Sequence, residues 1–185
     1  MNFNKHSNLE GSHAFLSASK YSWLNYDEEQ LYDAYLRFVA IQKGTELHDL
    51  AKRLIKLGVR LPGKHETLNL YVNDAIGYKM TPEQPLFYSI NSYGTADAIC
   101  FRKNLLRIHD LKTGQTPAKM RQLEIYSALF CLEYNMKPDE IKTELRIYQN
   151  DEVLVHHPEP EVISDIMDKI VMFDKRIEQL REENI

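Results

Sequence analysis

Asp110-Leu111-Lys112 places a carboxylate and an ammonium two positions apart inside an apolar run, and Asp97 stands in a second such run shortly before it. Side chains alternate faces along a strand, so Asp110 and Lys112 share one face, with Leu106 and Ile108 ahead of them on it. The charged pair is thus expected at a strand end, where an apolar floor gives way to a cleft. Pairing the two strands would bring Asp97 near Asp110, and two carboxylates repel unless a cation lies between them. Hard oxygen donors of this kind suit Mg2+ or Mn2+, which take one or two carboxylates and complete their shell with water and phosphate oxygens. Phosphodiester hydrolysis is the chemistry that follows. The ion would acidify a water and neutralise charge building up on the phosphate, while Lys112 would hold that water or the scissile phosphate.

The elements that must position these groups can be read from spacing. Gly94 to Phe101 and Leu105 to Gly114 are β-compatible runs split by Arg102-Lys103-Asn104, the pattern of a hairpin. Residues 118–134 read as a helix on which Gln122 and Tyr126, four apart, share a face. Upstream, Asp27-Glu28-Glu29 starts a helix that Gly44 should interrupt, and Thr45 then caps a second one ending at Gly58. His48 lies one turn into that second helix, a place from which imidazole could reach Mn2+. Residues 66–79 read as a further helix stopped by Pro82 and Pro85, before a strand over 86–93. Two more strands, 143–148 and 153–156, flank a turn at Asn150-Asp151, and 161–183 closes the chain as a helix with one apolar seam. Residues 1–12 are polar and read as a flexible arm ahead of a single domain over 13–185.

Four ordered motifs carry a family resemblance: Gly44 to His48 (Gly-x-x-x-His), Gly94 to Asp97 (Gly-x-x-Asp), Asp110 to Gly114 (Asp-x-Lys-Thr-Gly) and Gln122 to Tyr126 (Gln-x-x-x-Tyr). Together they resemble the RecB-like branch of the PD-(D/E)xK nuclease superfamily over roughly residues 44–148, and their order carries far more weight than any one of them. The resemblance implies an α/β fold with a restriction-endonuclease-like core: a central mixed sheet of about four or five strands flanked by helices on both sides. It implies Mg2+ or Mn2+ held by His48, Asp97, Asp110 and the backbone carbonyl of Leu111, with Glu46 as a candidate further acid. Lys112 would act in catalysis, and Gln122 with Tyr126 would orient the DNA backbone. Asp110 stands where many relatives carry Glu, which shifts the carboxylate oxygen by one methylene. The activity implied is a DNA nuclease, an exonuclease by analogy, in phage or bacterial DNA recombination or repair, partnered by DNA and by a single-strand annealing or recombination protein. A catalytically silent DNA- or protein-binding module on the same fold is the alternative.

Composition sets bounds on this. A chain of 185 residues can bury a substantial core, hiding roughly two-thirds of its unfolded surface. A formal charge of -4 lacks the basic excess of most nucleic-acid binders, so DNA contacts would fall to local cations, of which Lys52, Arg53, Lys119 and Arg121 flank the motifs. Two cysteines, Cys100 and Cys131, cannot build the four-cysteine iron–sulfur cluster of some relatives. With no signal segment and no apolar run near the roughly 18 residues of a membrane helix, a cytoplasmic protein without a membrane partner is expected. The closing apolar seam leaves a homo-oligomer open.

Overall fold

The computed structural model describes residues 5, 7, 14–63, 65–114 and 116–183. The chain divides into two compact units, residues 1–45 and 46–185. The expected arm, residues 1–12, lies outside the described residues apart from Lys5 and Ser7.

A 3-10 helix, Ala18–Asn25, lies in the N-terminal unit and precedes the long helix α1, Glu28–Leu57, whose residues from Glu46 onward belong to the second unit. Asp27 and Gln30 cap α1 reciprocally: the Gln30 N–H donates to Asp27 Oδ1 (2.8 Å) and the Asp27 N–H to Gln30 Oε1 (3.2 Å), satisfying two amides that have no helical acceptor. Phe15, Tyr35 and Phe38 pack ring against ring. Trp23 is half-buried, its indole N–H on the Ser17 carbonyl at 3.0 Å.

Gly44 does not break α1, contrary to the sequence expectation. One helical glycine costs only about 1 kcal/mol, and Thr45 turns its hydroxyl back to the Ile41 carbonyl (3.2 Å) instead of capping a new helix. The helix does end where expected. Gly58 takes φ +68, and its N–H and that of Val59 bond back to Ile55 and Leu54, a glycine-terminated helix end.

The second unit continues with α2 (Thr67–Gly77), β1 (Thr81–Ser89), β2 (Ser92–Arg102), β3 (Leu105–Leu111), α3 (Arg121–Glu133), β4 (Lys142–Gln149), β5 (Glu152–His156) and α4 (Pro160–Glu183). The strands form one open sheet in the order β1-β2-β3-β4-β5. Only the β3–β4 pair is parallel, so the sheet is mixed and the expected α/β class holds. Turns at Lys103-Asn104 and Asn150-Asp151 use left-handed φ at both residues, the geometry that matches the strands' twist. Asp151 also caps α2, its Oδ1 accepting from the Thr67 N–H (2.7 Å) and hydroxyl (2.9 Å).

Pro82 and Pro85, expected to precede the sheet, lie inside β1. That strand pairs only with β2, and an edge strand tolerates the missing N–H donors. On one face of the sheet α3 and α4 bury Leu86, Ala96, Ile99, Leu106, Ile108, Leu145 and Ile147 with Leu123, Leu129 and Ile163. On the other, α2 and the last turns of α1 bury Ala98, Cys100, Leu111 and Tyr148 with Ala51, Ile55, Tyr71 and Val72. The α4 seam packs through Ile163, Ile166 and Ile170, whereas Phe173 beyond them is exposed.

Candidate metal centre

β2 and β3 are antiparallel with Ala98 opposite His109, which brings Asp97 and Asp110 to the same end of the sheet. Asp97 Oδ2 accepts the Leu111 N–H at 2.9 Å, and His48 Nδ1 of α1 lies 3.5 Å from that oxygen. The pleat changes here: Ala96 packs on the α3 side and Ala98 on the α2 side. Opposite this break, between the pairs Pro82–Ala98 and Gln84–Ala96, sits Glu83. Glu83 holds φ +52 within a strand, a left-handed conformation that is costly for a non-glycine residue and that clusters at ligand-binding sites.

His48, Glu83 and Asp97 each offer a donor atom, all within 4.8 Å of one another. The sequence expectation, which places Pro82 and Pro85 at the end of a helix, passes over Glu83. Its signal was available: an acid on the strand that must pair with the Asp97 strand. Glu46 does not join this group among the described residues. It is exposed and two positions from His48, which turns it about 200° round the helix.

Asp110 is 2% exposed and held by Lys112, whose Nζ donates to Oδ1 at 3.0 Å and lies 3.0 Å from Oδ2. Oδ2 is nevertheless outside hydrogen-bonding geometry and has no partner of that kind. Lys112 also donates to Gln122 Oε1 (2.9 Å), and Gln122 Nε2 donates to the Tyr126 hydroxyl (3.1 Å). The expected i, i+2 and i, i+4 pairs therefore meet in one chain running from Asp110 to Tyr126. A Cβ at Gly94 would stand 2.8 Å from Tyr126 Cε1, so the glycine of the Gly-x-x-Asp motif makes room for the ring of the Gln-x-x-x-Tyr motif.

The electrostatics are those of an anionic cluster short of cations. Burial, then the Asp110 carboxylate, pushes the Asp97 pKa up to about 6, against the pull of His48 and the Leu111 N–H. Burial raises Asp110 as well, and Lys112 opposes it. Beneath them the Tyr71 phenol of α2 is raised by burial and then by Asp97, Glu83 and Asp110. Carboxylates held above their usual range, one buried carboxylate oxygen without a hydrogen bond and a mixed N/O donor set all fit a divalent cation of the Mg2+ or Mn2+ class.

The remaining site expectations, Leu111, Lys52, Arg53, Lys119 and Arg121, are spread around this centre, and two histidines outside them make contacts of their own. Leu111 meets it through its main chain, where the observed contact is the N–H to Asp97. Lys52, half-buried, follows His48 by one helical turn and so shares its face; Arg53 beside it is exposed. Lys119 is exposed. Arg121 is tied to Glu124 at 3.0 Å, which lowers its availability to a phosphate. His156 faces Glu124 (3.3 Å) and His157 the Thr143 carbonyl (3.0 Å).

Among the described residues no helix is long and apolar enough to cross a membrane. No protein-family model matches the chain, and no curated protein does. A solved structure described as "Crystal structure of SSO0001" matches with a TM-score of 0.36 and 14% identity, covering 82% of this chain and 67% of its own; a likeness at that level carries nothing about function.

Proposed function

We propose that the chain is a Mg2+- or Mn2+-dependent DNA nuclease, with exonucleolytic action preferred from the resemblance of its motifs. The observation that carries this reading is the meeting of His48, Glu83 and Asp97 beside the Asp110–Lys112 pair at one sheet end. His48, Glu83, Asp97 and Asp110 would hold the ion, with the Leu111 carbonyl as a further oxygen. Bound there, a divalent ion supplies Lewis acidity and positive charge for phosphoryl chemistry.

The protein's own groups account for the rest. Lys112 is fixed by Asp110 and Gln122 with its ammonium at the mouth of the carboxylate cluster, where it can hold a non-bridging phosphate oxygen as charge develops. Gln122 and Tyr126 fix the direction of that ammonium and offer an amide and a phenol to the adjoining backbone. Lys52 supplies a cation along the α1 face that carries His48, and Arg53 an exposed one beside it.

The test is cleavage of supercoiled plasmid and of end-labelled linear duplex with Mg2+, Mn2+ or excess EDTA. Metal-dependent loss of the linear label, with plasmid spared, is expected. Undiminished cleavage in EDTA would refute the metal site, and no cleavage under any condition would favour a silent binding module.

A further inference from the structure

We infer that the β1–β2 hairpin carries a stacking platform for unpaired nucleobases, formed by Phe87 and Tyr93. This rests on the nucleic-acid reading above and names the form of substrate. Phe87 and Tyr93 are cross-strand partners. Their rings lie 6.5 Å apart at an interplanar angle of 28°, yet they remain 52% and 66% exposed. A stacked aromatic pair left in water is an unusual use of apolar surface, and it offers a preordered flat face to another ring.

Its position matters more than its exposure. Leu86 packs in the α3-side core and its partner Gly94 lies against Tyr126 of α3. Alternation therefore turns Phe87 and Tyr93 to the opposite side of the sheet. Asp97, farther along the same strand, lies beside His48 of α1, and the last turns of α1 pack on that side. Four steps along the strand take Tyr93 to Asp97, about 13 Å, or about four nucleotides at the stacked rise of one strand. A strand whose phosphate sits at the carboxylates thus has its next few bases within reach of the two rings.

Unpaired bases suit the two rings, because a strand held at the carboxylates carries its bases to them. The chain carries a net -4, so phosphate contacts alone give it little hold on a polyanion. Base–aromatic stacking supplies affinity without cations, tolerates any sequence and requires unpaired bases. The platform therefore selects a single strand or a frayed end over a closed duplex.

The experiment measures binding of labelled oligothymidylate and of a blunt hairpin duplex to the full chain in EDTA, where cleavage plays no part. Phe87→Ala/Tyr93→Ala should weaken oligothymidylate binding by at least roughly fivefold. The salt dependence should stay unchanged, because no phosphate contact is lost. Phe87→Tyr/Tyr93→Phe should retain wild-type binding, which separates stacking from misfolding. Unchanged affinity in the alanine variant, a reduced salt slope or failure of the aromatic swap would overturn the proposal. So would sedimentation showing that the wild type self-associates through this face while DNA binding is unaffected. Binding that behaves as expected in a chain that never cleaves DNA would refute the nuclease and leave the platform standing.

Discussion

Two clusters of charge sit close together in the sheet and are built on opposite rules. On the α2 side, Glu144 Oε1 accepts from Arg107 (2.9 Å) and Arg146 (3.0 Å). Asp74 Oδ2 accepts from Arg146 (3.1 Å) and the Tyr148 hydroxyl (2.8 Å), and both guanidiniums lie over the Tyr78 ring. Tyr148 spends its proton on Asp74, so His109 Nδ1, 3.1 Å away, is the donor to it. The buried imidazole stays neutral, its pKa pushed down to about 3 by burial and by Arg146 and Arg107. At the sheet end, by contrast, Glu83, Asp97 and Asp110 have one ammonium and one imidazole against them among the described residues. A network with its charges matched is a structural device, whereas a cluster left short of cations leaves its donor atoms open to one.

The sharpest break between the two is made with Lys112 and Glu144. Lys112→Ala should lower the cleavage rate on the order of a hundredfold or more, the usual cost of one transition-state donor, while metal and DNA still bind. Wild-type turnover would reduce Lys112 to a strand-end charge. Glu144→Ala should instead leave the chemistry in place and destabilise the fold by about 2 kcal/mol. That is less than the ~3–5 kcal/mol of a fully buried pair, because Arg107 and Arg146 keep 21% and 17% of their side-chain exposure. Denaturant midpoints would measure it, and an unshifted midpoint would mean the network adds no stability.

The pH dependence of the metal-free chain sharpens the contrast. The folded pKa of Asp97, about 6 against an ordinary 3.8, means the folded state binds that proton more tightly than the unfolded one. Its contribution to stability is full below the ordinary value and is lost as pH rises from about 4 to about 6. Without divalent metal the Tm should therefore fall through that window. With Mn2+, which competes with the proton, the metal-induced rise in Tm should grow over the same interval. Glu83→Gln should shrink that rise, and an equal rise in the variant would take Glu83 out of the ligand set.

The smallest effect expected is at His48. Its nitrogen favours Mn2+ over Mg2+, so His48→Ala should erase most of any Mn2+ advantage in the half-saturating metal concentration. Titrating both ions against activity in wild type and variant would show it; identical ratios would make His48 a structural residue.

Local periodicity was enough for much of this architecture. The hairpin of the runs 94–101 and 105–114, the α1 stop at Gly58 and the Asp110–Lys112 and Gln122–Tyr126 pairs all depend on strand alternation, helical pitch or glycine's left-handed freedom, which act within a few residues. The continuity of α1 through Gly44 and the placing of Pro82 and Pro85 inside a strand were not legible that way. A helical glycine is a small local cost that tertiary packing overrides, and whether a proline is tolerated depends on the strand being at the sheet's edge. Glu83 was hidden for the same reason: only the pairing of β1 with β2 sets it opposite Asp97. His109, Tyr148 and Asp74 come from three separate elements whose charge balance exists only after folding. Sequence spacing thus determined which donors lie side by side on each element, and the tertiary structure decided which of them are compensated, because burial and partner distance belong to the assembled sheet.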